Sequence, residues 1–265
     1  MRRLITIPIS HFCEKARWSL ERAGIPYTEV RHVQGIHQLA AKRAGGGVTV
    51  PVLVAPEGVF TESEQIVEYA DRTLPEPLRL FPSDPGLRAE VESLSRWFDE
   101  GLGPDGRRLM YAHMLEQRKL MLKVNNQGVP WWEGLLITWL WPLAVGLVNR
   151  ALGVRPGREV EDEANVHRVF DAVGERLADE RPYLCGERFT AADLTFAALA
   201  AAVVIPPEYS VALPQPHVLP ASIAVPVRTF RDHPAGRFAL RLFREERRRV
   251  VAAPAAREPA APISR

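Results

Sequence analysis

Short apolar runs bounded by glycine and proline occur only near the start of this chain. The runs at 4–9 and 50–54 have the length of strands, and the segments between them have helical spacing. This order predicts a βαβ unit followed by a β-hairpin and a closing helix, an α/β domain with a mixed sheet. The predicted strands are 3–9, 27–33, 50–54 and 58–60, and the predicted helices are 14–23, 37–44 and 63–72.

Beyond a proline-rich stretch, the strand pattern disappears and apolar residues recur at helical spacing. Helices are predicted over 87–115, with an interruption near 101–104, and over 131–152, 160–178, 191–204 and 226–249. We therefore predict an α/β domain over 1–75, a linker over 76–85, an all-helical domain over 86–250 and a disordered tail over 251–265. The segment Thr190-Ala191-Ala192-Asp193 is predicted to cap the helix that follows it.

Composition sets limits on the function. The 265 residues are 46% hydrophobic and carry a formal net charge of +2, so we expect no nucleic-acid partner. Two cysteines give no disulfide framework and favour a reducing, cytoplasmic location. The apolar run at the start of the chain is too short for the hydrophobic region of a secretory signal. The seven histidines show no metal-ligand spacing, so no metal site is expected.

The segment 134–149 carries no charged residue and lies among four tryptophans. It is slightly short for a membrane span and contains Pro142, which would break such a helix. We expect a buried core helix here, with membrane association or a partner-binding face as the alternatives.

The first predicted strand leads into a helix through Ser10-His11-Phe12-Cys13. The start of a helix offers unpaired N–H groups and a positive dipole end, which stabilise a thiolate. The motif has the spacing of a C-x-x-C redox motif with serine in the first place, so it favours a site that holds the sulfur of a ligand. The structural alternatives are a plain N-cap for Ser10 and inert packing for Cys13.

Five segments in this order resemble the soluble glutathione transferase family over nearly the whole chain. They are Ser10-x-x-Cys13 with Arg17 and Leu20, the segment 24–30, Val50-Pro51-Val52-Leu53, Glu62-Ser63-x-x-Ile66-x-x-Tyr69, and Tyr183-Leu184-x-Gly186-x-x-Phe189-Thr190-x-Ala192-Asp193. The resemblance implies a thioredoxin-like first domain, an all-helical second domain and, as is usual in the family, a homodimer.

The resemblance also implies roles for individual residues. Ser10 would donate a hydrogen bond to the sulfur of glutathione, the co-substrate. The Val50–Pro51 bond would be cis and leave the backbone of Val50 free to pair with the peptide. Glu62 and Ser63 would bind the γ-glutamyl end at the start of a helix.

The leading hypothesis is an enzyme that conjugates the glutathione thiolate to an apolar electrophile bound between the domains. A second hypothesis is a glutathione-dependent thiol reductase that uses Cys13. A third is a non-catalytic binding protein of the same fold, favoured by Thr49, which stands where many family members have lysine.

Overall fold

The computed structural model of the chain describes residues 1–155 and 157–251. The predicted tail over 251–265 therefore lies, except for Val251, outside the described residues. Four strands form one sheet: β1 (Arg3–Thr6), β2 (Thr28–Arg31), β3 (Val52–Ala55) and β4 (Gly58–Phe60). Their order is β2-β1-β3-β4, and only the β1–β2 pair is parallel. The predicted mixed sheet is confirmed, with strands somewhat shorter than the apolar runs.

Three helices accompany the sheet: α1 (His11–Arg22), α2 (Ile36–Arg43) and α3 (Ser63–Asp71). After Phe60 the described residues contain no further strand, and one isolated bridge joins Tyr183 to Gly186 across a turn. The predicted fold class, a thioredoxin-like α/β unit followed by an all-helical part, is therefore confirmed. The helical part contains α4 (Pro85–Trp97), α5 (Gly103–Met114), α6 (Arg118–Asn125), α7 (Trp131–Trp139), α8 (Trp141–Leu152), α9 (Arg158–Arg176), α10 (Ala191–Val204), α11 (Ala221–Asp232) and α12 (Pro234–Glu245).

Several predicted helix boundaries were wrong. The interruption predicted near 101–104 is a π-helical turn, Phe98–Leu102, which joins α4 directly to α5. The helix predicted over 226–249 is two helices that meet at His233 and Pro234, because a proline cannot donate the backbone bond that would continue the first. The helix α6 was missed, and the linker contains a 3-10 turn, Glu76–Leu78.

Helix α10 forms the centre of the core and packs against α1, α4, α5 and α12. Its predicted cap is present: Asp193 Oδ2 accepts hydrogen bonds from the backbone N–H of Thr190 at 2.8 Å and from its hydroxyl at 2.8 Å. Asp193 Oδ1 also accepts from the Leu184 N–H at 2.7 Å. The cap therefore fixes the preceding loop as well as the helix start.

The prediction that 134–149 forms a buried core helix was wrong. The segment is divided between α7 and α8, which meet at an angle of 88°. Most of its large apolar side chains are exposed. Among the described helices no single one is long and apolar enough to span a membrane, whereas α7 and α8 reach that apolar length only together and across their bend.

Candidate active site

Ser10 caps the first helix. Its Oγ accepts a hydrogen bond from the backbone N–H of Cys13 at 3.3 Å, and the side chain is half-buried. The predicted N-cap is thus present. Because this bond uses the oxygen only as an acceptor, the hydroxyl proton remains free to be donated to a ligand.

The turn before Ser10 is held by side chains from distant parts of the chain. Arg17 Nη2 donates to the Ile7 carbonyl at 3.1 Å, and the Tyr209 hydroxyl donates to the Ile9 carbonyl at 3.0 Å. Arg17 is itself bound by Glu29, with its Nε 2.7 Å from Oε1. The position of Ser10 therefore depends on a buried arginine and on a tyrosine from the loop after α10.

Behind this turn lies a buried ion cluster. Glu14 is fully buried and accepts from Arg247 Nε at 2.6 Å and from Arg17 Nη1 at 3.3 Å. Burial alone would raise the pKa of Glu14, but the charges of Arg247 and Arg17 outweigh it and hold the pKa below its ordinary value. The segment after α12 thus closes over α1, and the carboxylate remains ionised at neutral pH.

Cys13 lies one turn beyond Ser10 and is completely buried. Burial raises the pKa of its thiol, and neither the Arg17 charge nor the Ser10 bond compensates for it. The sulfur is therefore a protonated thiol without access to solvent, which is the environment of an inert packed cysteine.

The sheet brings the other predicted site residues to the same end as Ser10. In the antiparallel β1–β3 pair, Ile5 lies opposite Val52. The Val50–Pro51 peptide immediately precedes β3 and therefore lies beside the end of β1. That peptide bond is cis, as predicted. Strand β4 ends at this edge as well, since Phe60 lies opposite Leu53.

Helix α3 starts directly after this edge. Ser63 is its first residue and is buried, while Glu62 is the exposed N-cap residue, whose backbone N–H donates to Gln65 Oε1 at 3.3 Å. The start of the helix thus lies at the sheet end that also holds Ser10 and Pro51. Thr49, at the position where a lysine would be expected, is exposed.

An apolar pocket opens beside Ser10, between the α/β part and the helical part. Ile9 and His11, the two neighbours of Ser10, line it together with residues of α5, α6, α10 and the loop after α10. It encloses about 590 Å³, including space open to solvent. Among the lining residues are Arg107, Met110, Tyr111, Met121 and Leu213.

The pocket wall approaches the start of α1 closely. A Cβ on Gly103 would lie only 2.5 Å from the tip of the Phe12 ring, so a larger residue where α5 begins would force that ring to shift. His11 is buried at the same contact; its burial, together with the nearby Arg107 charge, lowers its pKa to about 3. The imidazole is therefore neutral at physiological pH.

Family models identify both parts of the chain. The glutathione S-transferase N-terminal domain matches residues 4–78, and the glutathione S-transferase C-terminal domain matches residues 157–221. Together the matches span more than half of the chain. The chain belongs to the glutathione S-transferase family. No curated protein sequence matches it.

Solved glutathione S-transferases share this fold. One from Rhodospirillum rubrum is 23% identical, with a TM-score of 0.58, over 92% of this chain and 88% of the other. One from Ceriporiopsis subvermispora, solved in complex with glutathione, is 17% identical, with a TM-score of 0.61, over 92% and 97% of the two chains. One from Burkholderia graminis, with two glutathione molecules bound per subunit, is 16% identical, with a TM-score of 0.55, over 91% and 82%.

In this member of the glutathione S-transferase family, the sequence patterns identified the segments at the end of the sheet but not the side chains that hold those segments in place. Arg17 was noted only as part of a motif, and Glu14, Tyr209 and Arg247 were not singled out. The one available signal was a Glu14–Arg17 pair at helical spacing, which is common on exposed helix faces. Nothing local in the sequence marks Arg107 as a residue of the pocket.

Proposed function

We propose that this protein binds glutathione at the end of the sheet and conjugates its thiolate to an apolar electrophile. The observation that carries the proposal is the Ser10 hydroxyl, which lies at the start of α1 between two residues that line the apolar pocket. A thiol at this position meets a hydroxyl donor, a helix dipole and the apolar pocket together. The fold neighbours solved with glutathione support the choice of this thiol.

In this proposal the backbone of Val50, beside the cis Pro51, pairs with the glutathione peptide. The start of α3 at Ser63 binds the γ-glutamyl carboxylate, and Glu62 offsets the ammonium group. Both segments lie at the sheet end that holds Ser10. We further propose that the protein is a cytoplasmic homodimer, which light scattering after size exclusion tests for its oligomeric state.

The chemistry needs little beyond a bound thiolate and a nearby electrophile. With an aryl chloride, the thiolate sulfur forms a bond to the ring carbon, the carbon–chlorine bond breaks, and chloride leaves with the electron pair; the thiol proton is released to solvent. Lowering the thiol pKa by about two units requires ~2.7 kcal/mol of preference for the thiolate. A hydroxyl bond to the charged sulfur together with the helix dipole can supply this.

Ser10→Ala tests the proposal, with Cys13→Ser as the matched control on the same helix turn. We expect Ser10→Ala to reduce conjugation of 1-chloro-2,4-dinitrobenzene by about ten- to a hundredfold. It should also raise the pKa of bound glutathione, measured by thiolate absorbance. Cys13→Ser should retain conjugation. An active Ser10→Ala with an inactive Cys13→Ser would replace the transferase proposal with the thiol reductase, which the burial of Cys13 disfavours.

The binding-protein hypothesis is retained because Thr49 supplies no charge for the glycyl carboxylate. It makes a separate prediction: glutathione raises the unfolding temperature, but no electrophile is turned over. A ligand at 100 times its Kd adds about 2.7 kcal/mol of stability, which a thermal shift measures readily. Thermal shift and turnover, measured on one sample, distinguish the two functions.

A further inference from the structure

Helices α7 and α8 expose most of their large apolar side chains to solvent. Trp139 is 83% exposed and Trp131 is 77% exposed, values unusual for tryptophan in a folded protein. We call this surface the apolar patch; it consists of Trp131, Trp132, Leu135, Leu136, Trp139, Leu140, Leu143 and Leu147. A patch of this kind on a soluble fold marks an interaction site.

Contacts on the inner face of α7 and α8 fix the outward orientation of the patch. Glu133 is fully buried, and its two oxygens contact His32 Nδ1 at 2.7 Å and the Val33 N–H at 3.0 Å, both in the segment after β2. Ile137 and Trp141 pack into a small apolar cluster that includes Val33. The inner face of the helix pair therefore packs against the rest of the protein, and the apolar patch is its outer face.

Exposed basic residues flank the patch along the chain. Between Glu116 and Glu159 the chain has a single acidic residue, the buried Glu133, and six basic residues, all of which are exposed. Three lie on α6 and three lie at or after the end of α8: Arg118, Lys119, Lys123, Arg150, Arg155 and Arg158. The exposed tryptophans and leucines are thus flanked on both sides in the chain by these six exposed cations, which we call the cationic rim.

We propose that the apolar patch docks onto the surface of an anionic lipid bilayer. Tryptophan favours the boundary between headgroups and acyl chains, leucine favours the acyl region, and lysine and arginine attract anionic headgroups. A second copy of the chain fits this surface less well, because a two-fold contact would bring the same cationic rim against itself. The 88° bend and the packed inner face indicate a helix pair that lies in the interface rather than crossing it.

Helix α6 connects this surface to the pocket. Its Met121 and Val124 line the pocket, while Lys119 and Lys123 of the same helix are exposed in the cationic rim. Docking would therefore hold a wall of the pocket close to the lipid surface. An apolar compound dissolved in the bilayer would reach the pocket from the adjacent headgroup layer.

Co-sedimentation of the full chain with vesicles tests the docking surface. Vesicles of phosphatidylcholine with phosphatidylglycerol should bind the protein, and pure phosphatidylcholine should bind it more weakly. The triple variant Trp131→Ser, Trp132→Ser, Trp139→Ser should lower the affinity by about tenfold or more. Lys119→Glu with Lys123→Glu should also lower it about tenfold and reduce its salt dependence.

Trp97→Ser is the matched control, since Trp97 is an exposed tryptophan on α4, away from the patch; it should bind vesicles like the parent. Absence of vesicle binding by the parent would overturn the proposal. Equal binding by the triple variant would also overturn it. If the triple substitution instead converts a dimer to a monomer in light scattering while the parent ignores vesicles, the occupant is a second copy.

Two adjacent arginines on α5, a helix that lines the pocket, differ in their charge partners. Arg107 and Arg108 are neighbours on α5, and Arg108 pairs with the carboxylates of Asp105 and Asp162. Within the described residues Arg107 pairs with no carboxylate, and its buried Nε has no hydrogen-bond partner. Its guanidinium lies 5.9 Å from the centre of the Phe12 ring, in the wall of the pocket. The Arg107 side chain is half-buried, and a cation partly removed from water without an anion is costly unless a ligand supplies one.

The geometry points to Arg107 as the anchor for an anionic group, such as a carboxylate, on the apolar co-substrate. This assignment rests on the proposed function, because it names the substrate class of the same pocket. The neighbouring imidazole of His11 is neutral at physiological pH and provides no competing charge. A planar guanidinium binds a carboxylate through two parallel hydrogen bonds, which gives orientation as well as affinity.

Two electrophiles of matched shape test the assignment, 4-chloro-3-nitrobenzoate and its neutral amide. The parent should prefer the benzoate by about tenfold or more in kcat/KM, after each value is divided by the rate of the uncatalysed reaction of that compound with glutathione. Arg107→Met should bring the ratio of the two close to one, and Arg107→Lys should retain part of the preference. The KM for glutathione should not follow these changes.

Titration calorimetry with 2-naphthoate and 2-naphthamide, without glutathione, separates the two proposals. Tighter binding of naphthoate by the parent, lost in Arg107→Met, would support the anion site even if no electrophile is turned over. Equal treatment of acid and amide by the parent in both experiments would overturn the assignment while leaving the transferase intact. A rise in the KM for glutathione in Arg107→Met would assign the guanidinium to glutathione instead.

Discussion

Helix α10 and the pair α7–α8 are the two most apolar parts of the helical region, yet they have opposite environments. Nearly every residue of α10 is buried, and Phe196 contacts the rings of Phe98, Phe170 and Phe238. The large side chains of α7 and α8 mostly face solvent. High hydrophobicity therefore does not by itself predict burial in this protein.

The difference lies in which residues interrupt the apolar run. Helix α10 has its charged residue at one end, where Asp193 caps the helix. The other residues of the helix can therefore be buried on all sides. Helix α7 has a carboxylate, Glu133, inside its first turn, and this group points inward to His32 and Val33. Because Glu133 takes the inner side, the tryptophans beside it face outward.

Truncating a ring in α10 should have the largest effect on stability. Phe196→Ala removes a side chain that is 0% exposed. It should lower the free energy of unfolding by about 3–5 kcal/mol. Urea denaturation followed by circular dichroism measures this. A loss below 1 kcal/mol would show that α10 tolerates a cavity and is less central than its burial indicates.

Removing the inward carboxylate of α7 should cost less but change the patch. Glu133→Ala leaves the Val33 N–H and His32 without their acceptor, so we expect a loss of about 1.5–3 kcal/mol. Hydrogen exchange should increase selectively in α7 and α8. Glu133→Gln, which preserves the shape and one acceptor, is the control and should cost less. Uniform exchange across the molecule would contradict this anchoring role.

Acid should lower the stability of the protein through the ion cluster beside α1. Arg247 and Arg17 hold the pKa of Glu14 below its ordinary value of 4.5 despite burial, so the folded state binds fewer protons than the unfolded one. This contribution to stability is fully present above about pH 4.5 and is lost as the pH falls through the lowered value. Denaturation between pH 7 and pH 3 tests the direction. Constant stability over this range would refute it.

Trimming the patch should have the smallest effect on stability. Trp139→Ser changes a side chain that is 83% exposed. We expect the free energy of unfolding to remain within about 0.5 kcal/mol of the parent. Thermal denaturation in the absence of lipid measures this. A large loss would mean that the tryptophan is covered in solution, for example by a second copy of the chain.

Much of the fold was predictable because its signals are local. The short runs bounded by glycine and proline predicted the four strands, and the apolar run after Thr190 predicted α10 with its cap. Local signals failed at 131–152, where hydrophobicity indicated a core. They failed again at 226–249, where the break at Pro234 was not recognised.

The candidate site was likewise predicted only in part. The cis Val50–Pro51 bond was predicted from the family resemblance, and the sheet then places it at the end that also holds Ser10 and Ser63. The glutathione-binding roles of these residues remain predictions. The burial of Cys13 was only one of two alternatives in the sequence, because a C-x-x-C-like spacing does not reveal which side of the helix faces the core.

Local sequence patterns predicted the strands, most of the helical segments, the division into α/β and helical parts, and the serine that starts α1. Each of these depends on residues that are neighbours in the chain. The folded structure was needed to show that Arg247 neutralises Glu14, that the tryptophans of α7 face outward, and that no carboxylate among the described residues pairs with Arg107 in the apolar pocket. Burial and charge pairing arise between residues far apart in the chain, and no local pattern encodes which of them meet.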